Sequence, residues 1–167
     1  MRLAPFACLV GLLSGSAMAS PIDAAFRDFA DLQGTWTCHG VFPASGKTID
    51  SNVRFALDLD GKALVKHHDD TSAPALYHAL EAWGFDAKNQ RYNATILDSF
   101  GGARLFSSAG WKDERLVWSS AADVKPAQRF TYVREGHDGL RIDWEVEKQG
   151  AFVIGDTLHC SRHGAAN

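Results

Sequence analysis

The chain has 167 residues, 46% hydrophobic and 22% charged, with 15 Gly, 5 Pro, 5 Trp, 10 Phe and 3 Cys. That length suits one domain, and the aromatic content excludes a disordered chain. Lys and Arg number 17 against 20 Asp and Glu, a net charge of −3, which disfavours a nucleic-acid or anionic-membrane binder.

Residues 1–19 read as a secretory signal peptide. Met1-Arg2 supplies a positive charge, Leu3 to Leu13 is mostly apolar, and Ala17-Met18-Ala19 matches the small-x-small pattern that places cleavage after Ala19. The apolar run is shorter than the about 20 residues a membrane helix needs. Cys8 precedes most of that run, the wrong order for a lipoprotein site. A soluble product is expected, periplasmic or secreted, with Cys38 and Cys160 left as an even pair in a compartment that permits disulfides. With no C-x-x-C between them, the two read as a structural staple rather than a redox or metal pair. The long loop they would close is worth up to ~4–5 kcal/mol in the chain-entropy account.

Residues 20–34 carry the one helical signal. Ile22, Phe26, Phe29 and Leu32 recur at helical spacing among Asp23, Arg27, Asp28 and Asp31, with Ser20-Pro21 to open the helix and Gly34 to close it. Such an amphipathic segment must bury its stripe on something, most simply the end of a barrel or sheet. From residue 35 to 163 the period switches to two. Trp36 and Cys38 open a strand. Val53, Phe55, Leu57 and Leu59 alternate with polar neighbours and run into an Asp60-Gly61 turn. Strands at 62–69, 77–85, 91–98, 103–109, 115–120, 128–134, 140–147 and 151–162 follow, separated by Gly-, Asp- and Asn-rich turns. About ten short strands with hairpin-length connections predict an all-β, up-and-down antiparallel barrel with a short N-terminal capping helix.

The cysteines suggest how the barrel closes. If Cys38 and Cys160 face each other on neighbouring antiparallel strands, the same register sets Trp36 opposite Arg162. That pair then sits close enough for a cation–π contact of ~0.5–2 kcal/mol. Pairing the first strand with the last also removes the sheet edges.

Gly34-Thr35-Trp36-Thr37, Gly84-Phe85-Asp86 with Tyr92 following, and Asp98-Ser99 resemble the DUF1579-type lipocalin-like family, within the calycin superfamily of lipocalins and fatty-acid-binding proteins. The resemblance implies a barrel of about ten strands with a helix over one end. The cysteine pair departs from the family, and the C-terminus lacks the helix that follows the barrel in lipocalins proper.

A ten-stranded barrel is slightly wider than one that side chains just fill, so an interior cavity is expected. Alternation nominates Phe55, Leu57, Trp83, Phe85, Tyr92, Ile96, Phe130, Tyr132, Ile142 and Trp144 for the inner face, and Glu81 and Asp98 share its parity. Of these, Phe55, Trp83, Phe85, Tyr92, Tyr132, Trp144, Glu81 and Asp98 are the candidate ligand-binding residues. Cys38, Cys160, Trp36, Arg162 and Gly34 are assigned structural roles. Inward carboxylates need partners, which Arg104, Arg129 or Arg134 could supply, or else their pKa rises.

His67-His68-Asp69-Asp70 is the densest histidine cluster. Adjacent strand residues face opposite ways, so only His67 with Asp69, or His68 with Asp70, could share a face, and no metal is assigned. Related haem-binding barrels use a histidine on a late strand, for which His159 is the candidate here. Asn93-Ala94-Thr95 is a glycosylation sequon, meaningful only in a eukaryotic secretory pathway. There is no G-x-S-x-G, H-E-x-x-H or P-loop motif. The leading expectation is a barrel that binds a small, partly apolar or amphipathic molecule. The alternatives are a small-substrate isomerase or hydrolase, which requires two titratable groups in hydrogen-bond reach inside one pocket, and an envelope interaction protein without a small ligand.

Overall fold

The computed structural model describes residues 23–163. The signal-peptide reading and the Ser20-Pro21 helix start lie outside them. Among the described residues the fold is all-β: eleven antiparallel strands, of which ten close into a barrel while the two-residue Trp111–Lys112 is an extra strand on its neighbour.

The strands are β1 Gly34–Phe42, β2 Lys47–Asp58, β3 Ala63–Asp70, β4 His78–Asp86, β5 Arg91–Asp98, β6 Ala103–Ser108, β7 Trp111–Lys112, β8 Arg115–Ser120, β9 Gln128–Arg134, β10 Gly139–Lys148 and β11 Ala151–Arg162. Each pairs with its sequence neighbour from β1 through β6 and from β7 through β11. Two further seams close the cylinder. β6 meets β8 through Phe106–Ser120 and Ser107–Ser119, and β1 meets β11.

The β1–β11 seam has the register expected from the cysteines. Cys38 pairs with Cys160 and Trp36 with Arg162, and the two sulfurs form a disulfide. The Arg162 guanidinium lies 4.3 Å from the centre of the Trp36 ring. Arg162 also donates to the carbonyls of Gln33 at 2.6 Å and Asp31 at 2.5 Å, satisfying oxygens at the helix end that have no helical partner. Gly34 adopts φ +114°, open to glycine at little cost, and a Cβ there would stand 3.3 Å from that guanidinium. One arginine thus ties the last strand, the first strand and the helix together.

The N-terminal helix is shorter and tighter than the periodicity suggested. It is a 3₁₀ helix over Ala24–Leu32, capped by the Asp23 carboxylate accepting from the Ala25 N–H at 3.0 Å. The pitch explains the pattern: Phe26, Phe29 and Leu32 are three apart, and three residues per turn stack them on one face. All three are fully buried. Phe29 packs against Tyr92, Trp83 and Trp111, with ring centres 4.8, 6.1 and 6.3 Å away. Tyr92 donates its hydroxyl to the Ala25 carbonyl at 2.5 Å. Arg134 stacks on Trp111 at 3.8 Å and donates to the Asp28 carbonyl at 2.6 Å. This end of the barrel is plugged.

Candidate functional site

At the opposite end the barrel is hollow. A cavity of about 580 Å³ opens between the loops that follow β1, β3 and β5. Its apolar wall comes from both halves of the sheet, including Ile49, Phe130, Ile142, Trp144 and Leu158, and Phe42, Leu76 and Phe100 stand at the mouth. Leu76 is 56% and Phe100 74% exposed.

Polar groups enter at two levels. The deeper one is built by three inward residues on separate strands. Lys66 of β3 donates to Glu81 of β4 at 2.7 Å and to the Tyr132 hydroxyl of β9 at 2.9 Å. The second Glu81 oxygen accepts from the Trp83 indole at 2.9 Å. Lys66 and Glu81 sit across from each other in the β3–β4 ladder, so strand pairing places the charges together. Both are nearly inaccessible, and Tyr132 is fully buried. Burial first, and then the Glu81 charge, push the Tyr132 phenol well above its ordinary range, so it stays a neutral hydrogen-bonding group. Beneath this level Trp83 packs on Trp118, Phe55, Tyr132 and the helix residue Phe29.

The upper level lies nearer the mouth. Asp98 of β5 pairs with Arg104 of β6. Arg104 also donates to the Gln128 side-chain oxygen at 2.6 Å, which accepts from the Trp144 indole at 3.3 Å. A polar chain therefore runs from β5 to β10. His68 of β3 is buried, its ring edge-on to Tyr77 with centres 5.2 Å apart. Its Nε2 has no hydrogen-bond partner and stands 3.7 Å from Asp70 Oδ1, beyond hydrogen-bond reach. Burial holds the His68 imidazole below its ordinary 6.5, against weaker support from Asp70, so it is neutral near pH 7.

Asp156 of β11 completes the set. It lines the cavity opposite Trp144 in the β10–β11 ladder, next to a bulge where Gly155 has no counterpart on β10. The Trp144 ring lies over Gly155, where a Cβ would come within 2.4 Å of it. Among the described residues, no hydrogen bond or ion pair reaches the Asp156 carboxyl. Burial pushes it from its ordinary 3.8 to about 7, with Lys66 opposing and Asp70 and Asp143 reinforcing the shift.

The residues nominated from the sequence divide between the two ends. Glu81, Asp98 and Trp144 line the cavity, as do Phe130 and Ile142. Phe55, Trp83 and Tyr132 form the packed floor beneath it, and Ile96 is buried. Phe85 and Tyr92 lie against the helix end, with ring centres 4.9 Å apart. Leu57 packs on the edge of the core. The arginines offered as partners also separate: Arg104 serves Asp98, Arg129 clasps Glu145 at 2.5 and 2.7 Å, and Arg134 holds the helix. Glu81 takes Lys66 instead.

Of the histidine cluster, His68 shares its face with Asp70, while His67 is exposed. His159, the haem candidate, stands outside, 62% exposed and 3.3 Å from Glu135. It does not line the cavity.

Lys66 and Asp156 do not stand out in the sequence, and His68 does so only as a same-face pair with Asp70. Ala63-Leu64-Val65 is continuously apolar and hides the parity of β3. Asp156, however, is four residues from Cys160, and the disulfide partner could have revealed its face.

No family model matches the chain, and no curated protein matches it in sequence.

Proposed function

We propose that the protein is a secreted or periplasmic, lipocalin-like barrel that carries a small, partly apolar molecule in the cavity at its open end. The observation that carries this reading is the asymmetry of the interior. One end is sealed by aromatics, while the other holds about 580 Å³ of space, inside the range of small-molecule sites. The lining supports it: an apolar wall for the body of a ligand and a few converging polar groups to orient it. The exposed Leu76 and Phe100 at the mouth are suited to contact a molecule passing in.

Secretion is supported by the leader-like residues 1–19 and by the Cys38–Cys160 disulfide, which an oxidising compartment permits. Membership of the DUF1579-type lipocalin-like family is supported by the sequence motifs together with the barrel and its capping helix.

Native mass spectrometry of the protein recovered from its own compartment tests the reading. Bound small-molecule mass is expected on the wild type and not on Ile142→Trp, which fills the cavity. Equal occupancy of both proteins, or none on either across a screen of apolar amines, alcohols and acids, rejects it.

A further inference from the structure

The charges in the cavity do not balance, and the imbalance points to a class of ligand. Three cations line it: Lys66, Arg104 and Lys47. The first two are already engaged, Lys66 by Glu81 at 2.7 Å and Arg104 by Asp98. Lys47 is exposed at the rim. Four acids line it as well, and Asp156 has neither hydrogen bond nor ion pair among the described residues. His68, whose buried Nε2 also lacks a hydrogen-bond partner, lines the same space, with Asp70 beside it. A buried polar atom without a partner is uncommon in a folded protein and costs free energy that a ligand can recover.

A carboxylate ligand fits poorly. The interior cations that would pair with it are neutralised, and it would enter beside Asp70 and Asp156. A metal ion is not favoured either, since among the described residues no group of three or more His, Cys, Asp or Glu is arranged to hold one. An organic cation fits on three counts. Asp156 can accept from its N–H groups and supply the opposing charge. The aromatic rings of Trp144, Tyr77 and Phe130 belong to the same lining, and aromatic rings favour a cation near them. The remaining wall takes an apolar body. We infer that the ligand of this cavity is an apolar amine, held through its ammonium group by Asp156 beside the Trp144 indole.

This inference rests on the binding reading above, and one set of titrations separates the two. Calorimetry on the intact protein at about pH 8, where Asp156 is ionised, compares naphthylethylamine, naphthylethanol and naphthylacetate, three probes of one shape and different head charge. The amine is expected to bind about tenfold more tightly than the alcohol, and the carboxylate more weakly than either. Asp156→Asn is expected to abolish the amine's advantage and leave the alcohol within about twofold of wild type, which also reports that the variant is folded. Should the variant not fold, the ranking of the three probes on wild type still decides. Amine and alcohol binding alike, or the carboxylate binding best, overturns the amine assignment while leaving a binding barrel. Failure of all three to bind by about 1 mM overturns both.

Discussion

The two ends of this barrel are made from the same strands and have opposite characters. At the helix end, inward positions carry Trp83, Phe55, Trp118 and Tyr92, and Phe26, Phe29 and Leu32 pack against them. At the open end, inward positions on β3, β4, β5 and β11 carry Lys66, His68, Glu81, Asp98 and Asp156, and the interior stays open. Stability is concentrated where apolar surface is buried without voids. The other end holds charged groups in a partly dry space, which is costly unless they are paired or matched by a ligand. The Lys66–Glu81–Tyr132 group sits on the boundary and separates the two.

Substitutions can break this comparison. Phe29→Ala opens a void in the plug and is expected to destabilise by ~3–5 kcal/mol, measured by urea unfolding. A loss below about 1 kcal/mol would mean that the helix is dispensable to the core. Lys66→Met strands the Glu81 carboxylate and is expected to cost ~3–5 kcal/mol. The double change with Glu81→Leu should recover most of that cost, so equal losses in single and double variants would contradict a coupled buried pair.

Asp156→Asn acts with the opposite sign. The folded chain holds the Asp156 proton up to about pH 7, whereas the unfolded carboxyl releases it near 3.8. Below about pH 4 this group therefore imposes no penalty, and the penalty grows as pH rises from there and levels off above about 7. The variant should gain of order 2–4 kcal/mol relative to wild type between acidic and mildly alkaline pH. A pH-independent difference between the two proteins would contradict the unpartnered placement of this acid. Smallest of all, Phe100→Ser at the mouth should change stability by no more than about 0.5 kcal/mol, because the ring is already 74% exposed. A larger loss would show that the mouth contributes to the core.

Much of the barrel was legible because strands, turns and pairing register are local or nearly local properties. Period-two alternation located nearly all the strands, and turns such as Asp60-Gly61 bounded them. The cysteine pair supplied one long-range constraint, from which the Trp36–Arg162 contact followed by parity. The helix is legible too, but its pitch is not. Phe26, Phe29 and Leu32 fit either a 3.6-residue or a three-residue turn, and contact with Trp83 and Tyr92 decides between them.

The site was legible only in part, and the misses share a cause. Parity says whether a side chain points inward but not how far along the barrel it lies. Tyr132 and Phe130 are both inward on β9, yet one is sealed in the floor and the other faces the cavity. Lys66 is not legible as an interior residue, because a lysine in a strand is ordinarily solvated, and only closure of the sheet brings Glu81 and Tyr132 to it together.

What the sequence determined by itself was the set of strands, their alternation and the disulfide-fixed seam between the first strand and the last. These follow from covalent geometry and from a two-residue repeat that any strand must obey. What only the tertiary structure decided was which inward residues meet. Depth inside a barrel depends on strand tilt, on the bulge at Gly155 and on where the helix docks, and each of these is fixed by packing between residues far apart in the chain.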